Sequence, residues 1–169
     1  MKNLTFIFIS LITFAACSKT DQFKTPDDMV EHALKSVQLI KSEELHELME
    51  NYEVYTLVDV RQELEHYRGY IPGSVNIPRG SLEFNIGDRG FWDEAGLYEP
   101  EKDELIILYC HKGQRSTLSA VSLKQLGYKN VRVIDGGYKK WELTYPDIYE
   151  KDLDKLSGQD PKPKKSGAC

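Results

Sequence analysis

Cysteine is scarce in this chain of 169 residues: three, at 17, 110 and 169, too few and too scattered for a disulfide scaffold or a zinc cluster. A basic excess is missing too. Lys and Arg number 22 against 27 Asp and Glu, and the net charge of −5 argues against a general nucleic-acid binder. No internal repeat is visible. His32, His46 and His66 sit on charged helical stretches, where solvated side chains are expected, and no spacing links them into a metal site. The apolar run Leu4 to Ala16 is about 20 Å long as a helix, against roughly 30 Å of bilayer hydrocarbon, so it is short for a span. What remains is ordinary for a globular protein, 40% hydrophobic and 29% charged, with room for about one domain.

The N-terminal run, with Lys2 before it and small residues at its end, describes a secretory signal over residues 1–16. It ends Thr13-Phe14-Ala15-Ala16-Cys17, which resembles a bacterial lipobox, although Phe14 stands where Leu is usual. Lipidated Cys17 would hold the protein to a membrane of the bacterial cell envelope, facing periplasm or exterior, without a spanning helix. Plain secretion and an uncleaved anchor are the alternatives. Residues 17–25 then form a tether, 26–149 a domain with its core at 37–146, and 150–169 a charged, disordered tail. Cys169 in that tail reads as incidental, or as a thiol that resolves or accepts sulfur.

Thr25-Pro26-Asp27-Asp28 signals a helix start, with Met29, Val30, Ala33, Leu34 and Val37 as its apolar face. Val37–Ile40 suits a short edge strand, and Ser42 caps a helix running to about Glu50. Tyr55–Val60 and Leu105–Tyr109 read as buried strands, Ser74–Ile77 and Val131–Ile134 as shorter ones. Glu63–Tyr67, Ser116–Leu126 and Tyr138–Glu142 read as helices. Residues 79–104 form a long surface loop with some short helix: a lid or binding wall, or more plainly aromatics packed over the sheet edge. Strands alternating with helices predict an α/β fold, a mostly parallel sheet with helices on both faces.

The chemistry concentrates in Leu105-Ile-Ile-Leu-Tyr-Cys110-His-Lys-Gly-Gln-Arg115-Ser116. A strand delivers Cys110 to its carboxyl end, where sites of open α/β sheets lie, and a six-residue loop leads into a helix. Amides of such a loop converge and favour negative charge, hence the thiolate. Lys112 and Arg115 add positive charge, with His111 joining them at mildly acidic pH, and Gly113 permits the tight turn. The bland reading, a small buried thiol, fits the cysteine alone but not this surrounding pattern.

These residues resemble the rhodanese (sulfurtransferase) family over about 37–146. The resemblance rests on Leu57-Val-Asp-Val-Arg61, Glu63 to Pro78, Tyr109 to Ser116, and Leu126-Gly-Tyr to Trp141. Tyr70 departs from the pattern, where the family often has His. The resemblance implies the fold, and a persulfide on Cys110 formed from an anionic, thiosulfate-like donor and passed to a thiol or cyanide acceptor. It implies substrate contacts from His111, Lys112, Gly113, Gln114 and Arg115, with Lys112 attracting the anion. Arg115 would pair with Asp59 or Glu63 to shape the loop, or else touch substrate. Asp59 is expected to be buried and to order the site. Arg61 lines the pocket mouth or makes a surface pair, and Arg79 is a weaker candidate. No cofactor or metal is expected. A phosphatase on this scaffold would place five residues between Cys and Arg, where this chain has four. The remaining alternative is a non-catalytic or sulfur-delivering binding module of the envelope.

Overall fold

The computed structural model describes residues 22–157. Five strands form one sheet: β1 (Gln38–Ile40), β2 (Thr56–Asp59), β3 (Val75–Asn76), β4 (Leu105–Tyr109) and β5 (Asn130–Ile134). Their order is β1-β5-β4-β2-β3 and every pairing is parallel. Parallel neighbours need crossovers, and the helices supply them. They are α1 (Pro26–Leu34), α2 (Ser42–Glu50), α3 (Glu63–Tyr67), α4 (Leu82–Asn85), α5 (Arg89–Glu94), α6 (Gln114–Gln125), α7 (Gly137–Thr144) and α8 (Leu153–Ser157).

The sheet is buried on both faces, which is why its central strands are continuously apolar. Side chains alternate across β4. Ile106, Leu108 and Cys110 enter one core with Ala120 and Leu123 of α6 and Trp92 of α5. Ile107 and Tyr109 enter the other with Leu45 of α2 and Tyr138 and Trp141 of α7. The same alternation therefore aims Cys110 toward α6.

Several boundaries differ from the sequence expectations for identifiable reasons. Thr25 caps α1 as expected, its Oγ1 accepting from the Asp28 amide at 3.1 Å. Ser42 does not cap α2: Lys41 holds the cap position, and the buried Ser42 hydroxyl has no partner among the described residues. In 79–104 the chain forms α4 and α5, and Leu82, Ile86 and Trp92 are buried, with the Trp92 indole donating to the Ile86 carbonyl at 3.0 Å. That segment is a packed wall of the core. Residues 150–157, read as part of a disordered tail, instead fold against α3. Glu150 pairs with Tyr70, and the Asp152 amide donates to the Tyr67 carbonyl at 3.0 Å. Among the described residues no helix is long and apolar enough to cross a membrane. The signal at 1–16, Cys17 and Cys169 lie outside the described residues.

Candidate active site

The loop after β4 is shorter than expected. Gly113 has a φ of +95°, a conformation open to glycine and costly for other residues, and it serves as the N-cap of a helix that begins at Gln114. Gln114 and Arg115 thus belong to the first turn. The reversal brings the Gly113 N–H to 3.2 Å from the Cys110 Sγ. The Ser116 hydroxyl lies 3.7 Å from Sγ and 2.9 Å from the Gly113 carbonyl, which the Thr117 hydroxyl also reaches at 2.8 Å.

α7 fixes the loop from the opposite side. The Tyr138 and Lys139 amides donate to the Cys110 and His111 carbonyls at 2.8 and 3.0 Å. The peptides after Cys110 and His111 are trans, so those two carbonyls turn the His111 and Lys112 N–H groups away from α7. The approach is close: a Cβ on Gly137 would stand 2.3 Å from the Cys110 carbonyl oxygen. α7 thus occupies the Cys110 and His111 carbonyls, α6 the Gly113 carbonyl, and the Gly113 N–H faces the sulfur.

A charged network borders the loop. Asp59, at the end of β2, is fully buried. The Arg61 guanidinium donates to both of its oxygens, with Nη2 at 2.6 Å from Oδ2 and 2.7 Å from the Gly69 carbonyl. His66 Nδ1 lies 2.9 Å from the same carboxylate, which as an ion can only accept, so Nδ1 carries the proton. Burial alone would raise the Asp59 carboxyl. The hydrogen bonds from His66 and Arg61 and the Arg61 charge more than offset this and hold it below the usual range. Arg61 lies over the Tyr138 ring, 4.2 Å from its centroid. It is a buried pair at the pocket wall, where the sequence left open a surface pair.

Arg115 pairs with Glu65, at 2.7 Å through each nitrogen, and not with Asp59 or Glu63. That bidentate bond lowers the Glu65 carboxyl and raises the guanidinium, with a smaller contribution from the nearby Cys110 sulfur. Glu63 is exposed and accepts from the Tyr67 hydroxyl. The helical phase of α3 turns residue 65 toward the loop and residue 63 outward. His66, expected to be solvated, is buried and stacks on Tyr70 at 4.1 Å between centroids. The departure at position 70 therefore has a local partner. His46 is half-buried and stacked on Tyr145, contrary to the solvated reading, whereas His32 is exposed beside Phe23.

A cavity of about 280 Å³ opens beside the loop, lined by Arg61, Glu65, Arg68, Gly69, His111, Tyr138 and Glu142. Cys110 is 2% exposed and does not line it; its chain neighbour His111 does. Lys112 is exposed and does not line this cavity, and Gln114 reaches Asp27 of α1 at 3.0 Å. Arg79 lines a separate groove between α1 and α6. No group of three metal-ligating side chains occurs among the described residues. Sequence reasoning missed Glu65, Arg68, Tyr138 and Glu142. The Gly136-Gly137 pair was the available signal for the α7 wall, since adjacent glycines mark a close backbone approach.

Residues 41–144 match the family model of the rhodanese-like domain. That span is more than half of the chain, and the chain belongs to that family. A Drosophila melanogaster rhodanese domain-containing protein is 33% identical over 102 residues, covering 59% of this chain and 91% of its own. The human thiosulfate:glutathione sulfurtransferase is 35% identical over 89 residues, covering 50% and 76%. A mitochondrial Schizosaccharomyces pombe protein, provisionally assigned as a thiosulfate sulfurtransferase, is 34% identical over 87 residues; the match covers 50% of this chain and only 61% of that protein. Among solved structures, the human single-domain sulfurtransferase superposes with a TM-score of 0.59 at 26% identity, covering 65% of this chain and 98% of that one. A Rhodopseudomonas palustris protein of unknown function, described as a possible tyrosine phosphatase, gives 0.62 at 26% identity, covering 74% and 94%.

Proposed function

We propose that this chain is a sulfurtransferase working through a persulfide on Cys110. The supporting observation is the Gly113 N–H at 3.2 Å from Sγ, within a turn whose carbonyls are bound by α7. The Cys110 thiolate attacks the outer sulfur of a thiosulfate-like donor, the S–S bond of the donor breaks, and sulfite leaves with the electron pair. The new Cys110–S–S⁻ keeps one negative charge, which the amides and the nearby Arg115 stabilise. A thiol or cyanide then takes the outer sulfur, and Cys110 leaves as thiolate. Four residues between Cys110 and Arg115 make a cradle narrower than a phosphatase's, suited to one added sulfur.

Intact-mass measurement after incubation with thiosulfate tests this. The expected gain is one sulfur, roughly 32 Da, reversed by a thiol and absent in Cys110→Ser. Hydrolysis of an aryl phosphate with no mass gain would favour the phosphatase reading, and no adduct from any sulfane donor would favour a binding module. We also propose, from the sequence alone, that Cys17 is lipidated and holds the protein to the cell envelope. Metabolic labelling with a fatty acid, lost in Cys17→Ala, checks it.

A further inference from the structure

Two of the charged side chains that line the cavity are already matched. Arg61 is neutralised by Asp59, and Glu65 by Arg115. Two others are not. Arg68, from the end of α3, and Glu142, from α7, both line the cavity, are exposed, and have no ion-pair partner among the described residues. The backbone on either side of Arg68 is held. The Tyr67 carbonyl accepts from the Asp152 amide, and Tyr70 exchanges two backbone hydrogen bonds of 2.9 Å with Glu150. The rim therefore carries one unmatched positive charge on its α3 side and one unmatched negative charge on its α7 side.

A dianionic donor would meet Arg68 but be repelled by Glu142. A molecule carrying one charge of each sign satisfies both. The cavity, about 280 Å³, is just under the roughly 300 Å³ at which pockets for drug-sized ligands begin, so its occupant is small. We infer that the sulfur acceptor is a small amino-acid thiol, its carboxylate taken by Arg68 and its ammonium by Glu142. This rests on the sulfur-transfer reading above. Bound so, its thiol gives its proton to the outer sulfur of Cys110–S–S⁻ and its sulfur attacks that atom. The Cys110 S–S bond breaks, Cys110 departs as thiolate, and the product is R–S–SH. Arg68 and Glu142 are specificity-determining residues in this scheme.

The test uses full-length protein preloaded with sulfur on Cys110 and follows a single turnover by mass. The acceptors are L-cysteine, cysteamine (no carboxylate) and 3-mercaptopropionate (no ammonium). Comparing each variant with the parent cancels the intrinsic reactivities of the thiols. Arg68→Gln is expected to lower the cysteine-to-cysteamine rate ratio about fivefold. Glu142→Gln is expected to lower the cysteine-to-mercaptopropionate ratio by a similar factor. Both effects should shrink at high salt, as befits charges at a solvent-exposed rim. Unchanged ratios in both variants, or equal losses for all three acceptors, overturn the inference while sulfur loading stands. Failure to load any sulfur overturns the underlying reading instead, so the two failures are distinguishable. Both side chains are exposed, and circular dichroism of the variants checks that the fold is kept.

Discussion

Arg61 with Asp59 and Arg115 with Glu65 both join a guanidinium to a carboxylate beside the Cys110 loop, one pair sealed and the other open. The first pair is 3% and 0% exposed, the second 34% and 38%. Burial sets what each can do. Two ions removed from water hold their place only through complete pairing, and the Asp59 carboxylate has it: three hydrogen bonds from the Arg61 guanidinium, one from the Arg61 amide and one from His66. Its position therefore fixes Arg61, and through Arg61 the Gly69 carbonyl and the Tyr138 ring. The open pair is screened by solvent and adds little to stability, but it joins α3 to the first turn of α6, the turn that presents the sulfur.

The sharpest way to break the comparison is to remove one charge from each pair. Asp59→Asn leaves Arg61 buried without its counter-ion, and the expected loss is about 3–5 kcal/mol of unfolding free energy. Urea denaturation measures it, with the slope of the transition checked for constancy. The matching change in the open pair should cost several times less. Equal losses in the two variants would mean that burial is not what separates the pairs.

Gly137→Ala tests the other support of the loop. The added Cβ would meet the Cys110 carbonyl oxygen at 2.3 Å and sits on a backbone with a φ of +63°. Backbone atoms on both sides leave no soft neighbour to move, so the loop must shift. A loss of about 1–3 kcal/mol is expected from the strain, together with loss of sulfur loading. Retained loading at normal stability would show that α7 does not set the loop's geometry.

Acid sharpens the same contrast. The Asp59 carboxyl is held below its ordinary range by His66 and Arg61 against the opposing effect of burial, and Glu65 is lowered by Arg115. A carboxyl whose folded value is depressed contributes stability that is full above the unfolded value of about 4. That contribution is lost as pH falls through the lower folded value. Thermal melting between pH 6 and 3 should therefore show a fall beginning near pH 4. The fall should be shallower in Asp59→Asn, whose group no longer titrates, and nearly unchanged in Glu65→Gln.

The sequence revealed much of this architecture where signals are local. Strand β4, its glycine turn and the helix after it stand contiguous, so Cys110 and Gly113 could be found without coordinates. The identity of Arg115's partner could not be found that way. Glu63 and Glu65 are chemically alike, and only the rotation of α3 against the sheet chooses between them. His66 was hidden for a related reason: charged neighbours on its helix suggest water, while its inner face meets Asp59 on a strand seven residues back. Residues 150–157 read as a tail because their attachment to Tyr67 and Tyr70 runs largely through backbone groups, which leave no mark in composition, with Lys155 over the Tyr67 ring beside them. Arg68 and Glu142 come together only when α3 and α7 are placed around one cavity.

The smallest stability effect belongs to Glu65→Gln, and it is the most informative about function. The amide keeps the shape and can still accept one hydrogen bond from Arg115, but the charge is gone. Because the pair is more than a third exposed, the expected cost is about 0.5 kcal/mol, fading with added salt. The effect on sulfur loading should be larger than that figure suggests. Arg115, freed of its counter-ion, is tethered to α3 by one hydrogen bond at most, and its charge can turn toward the sulfur or into solvent. Loading measured as a function of thiosulfate concentration separates these outcomes. A lower maximal rate with unchanged half-saturation means that Glu65 holds the loop in its reactive shape. A lower half-saturation with the rate intact means that the carboxylate restrains Arg115 from binding the anion. If neither parameter moves, the open pair is an ordinary surface contact, and the sealed pair alone organises the site.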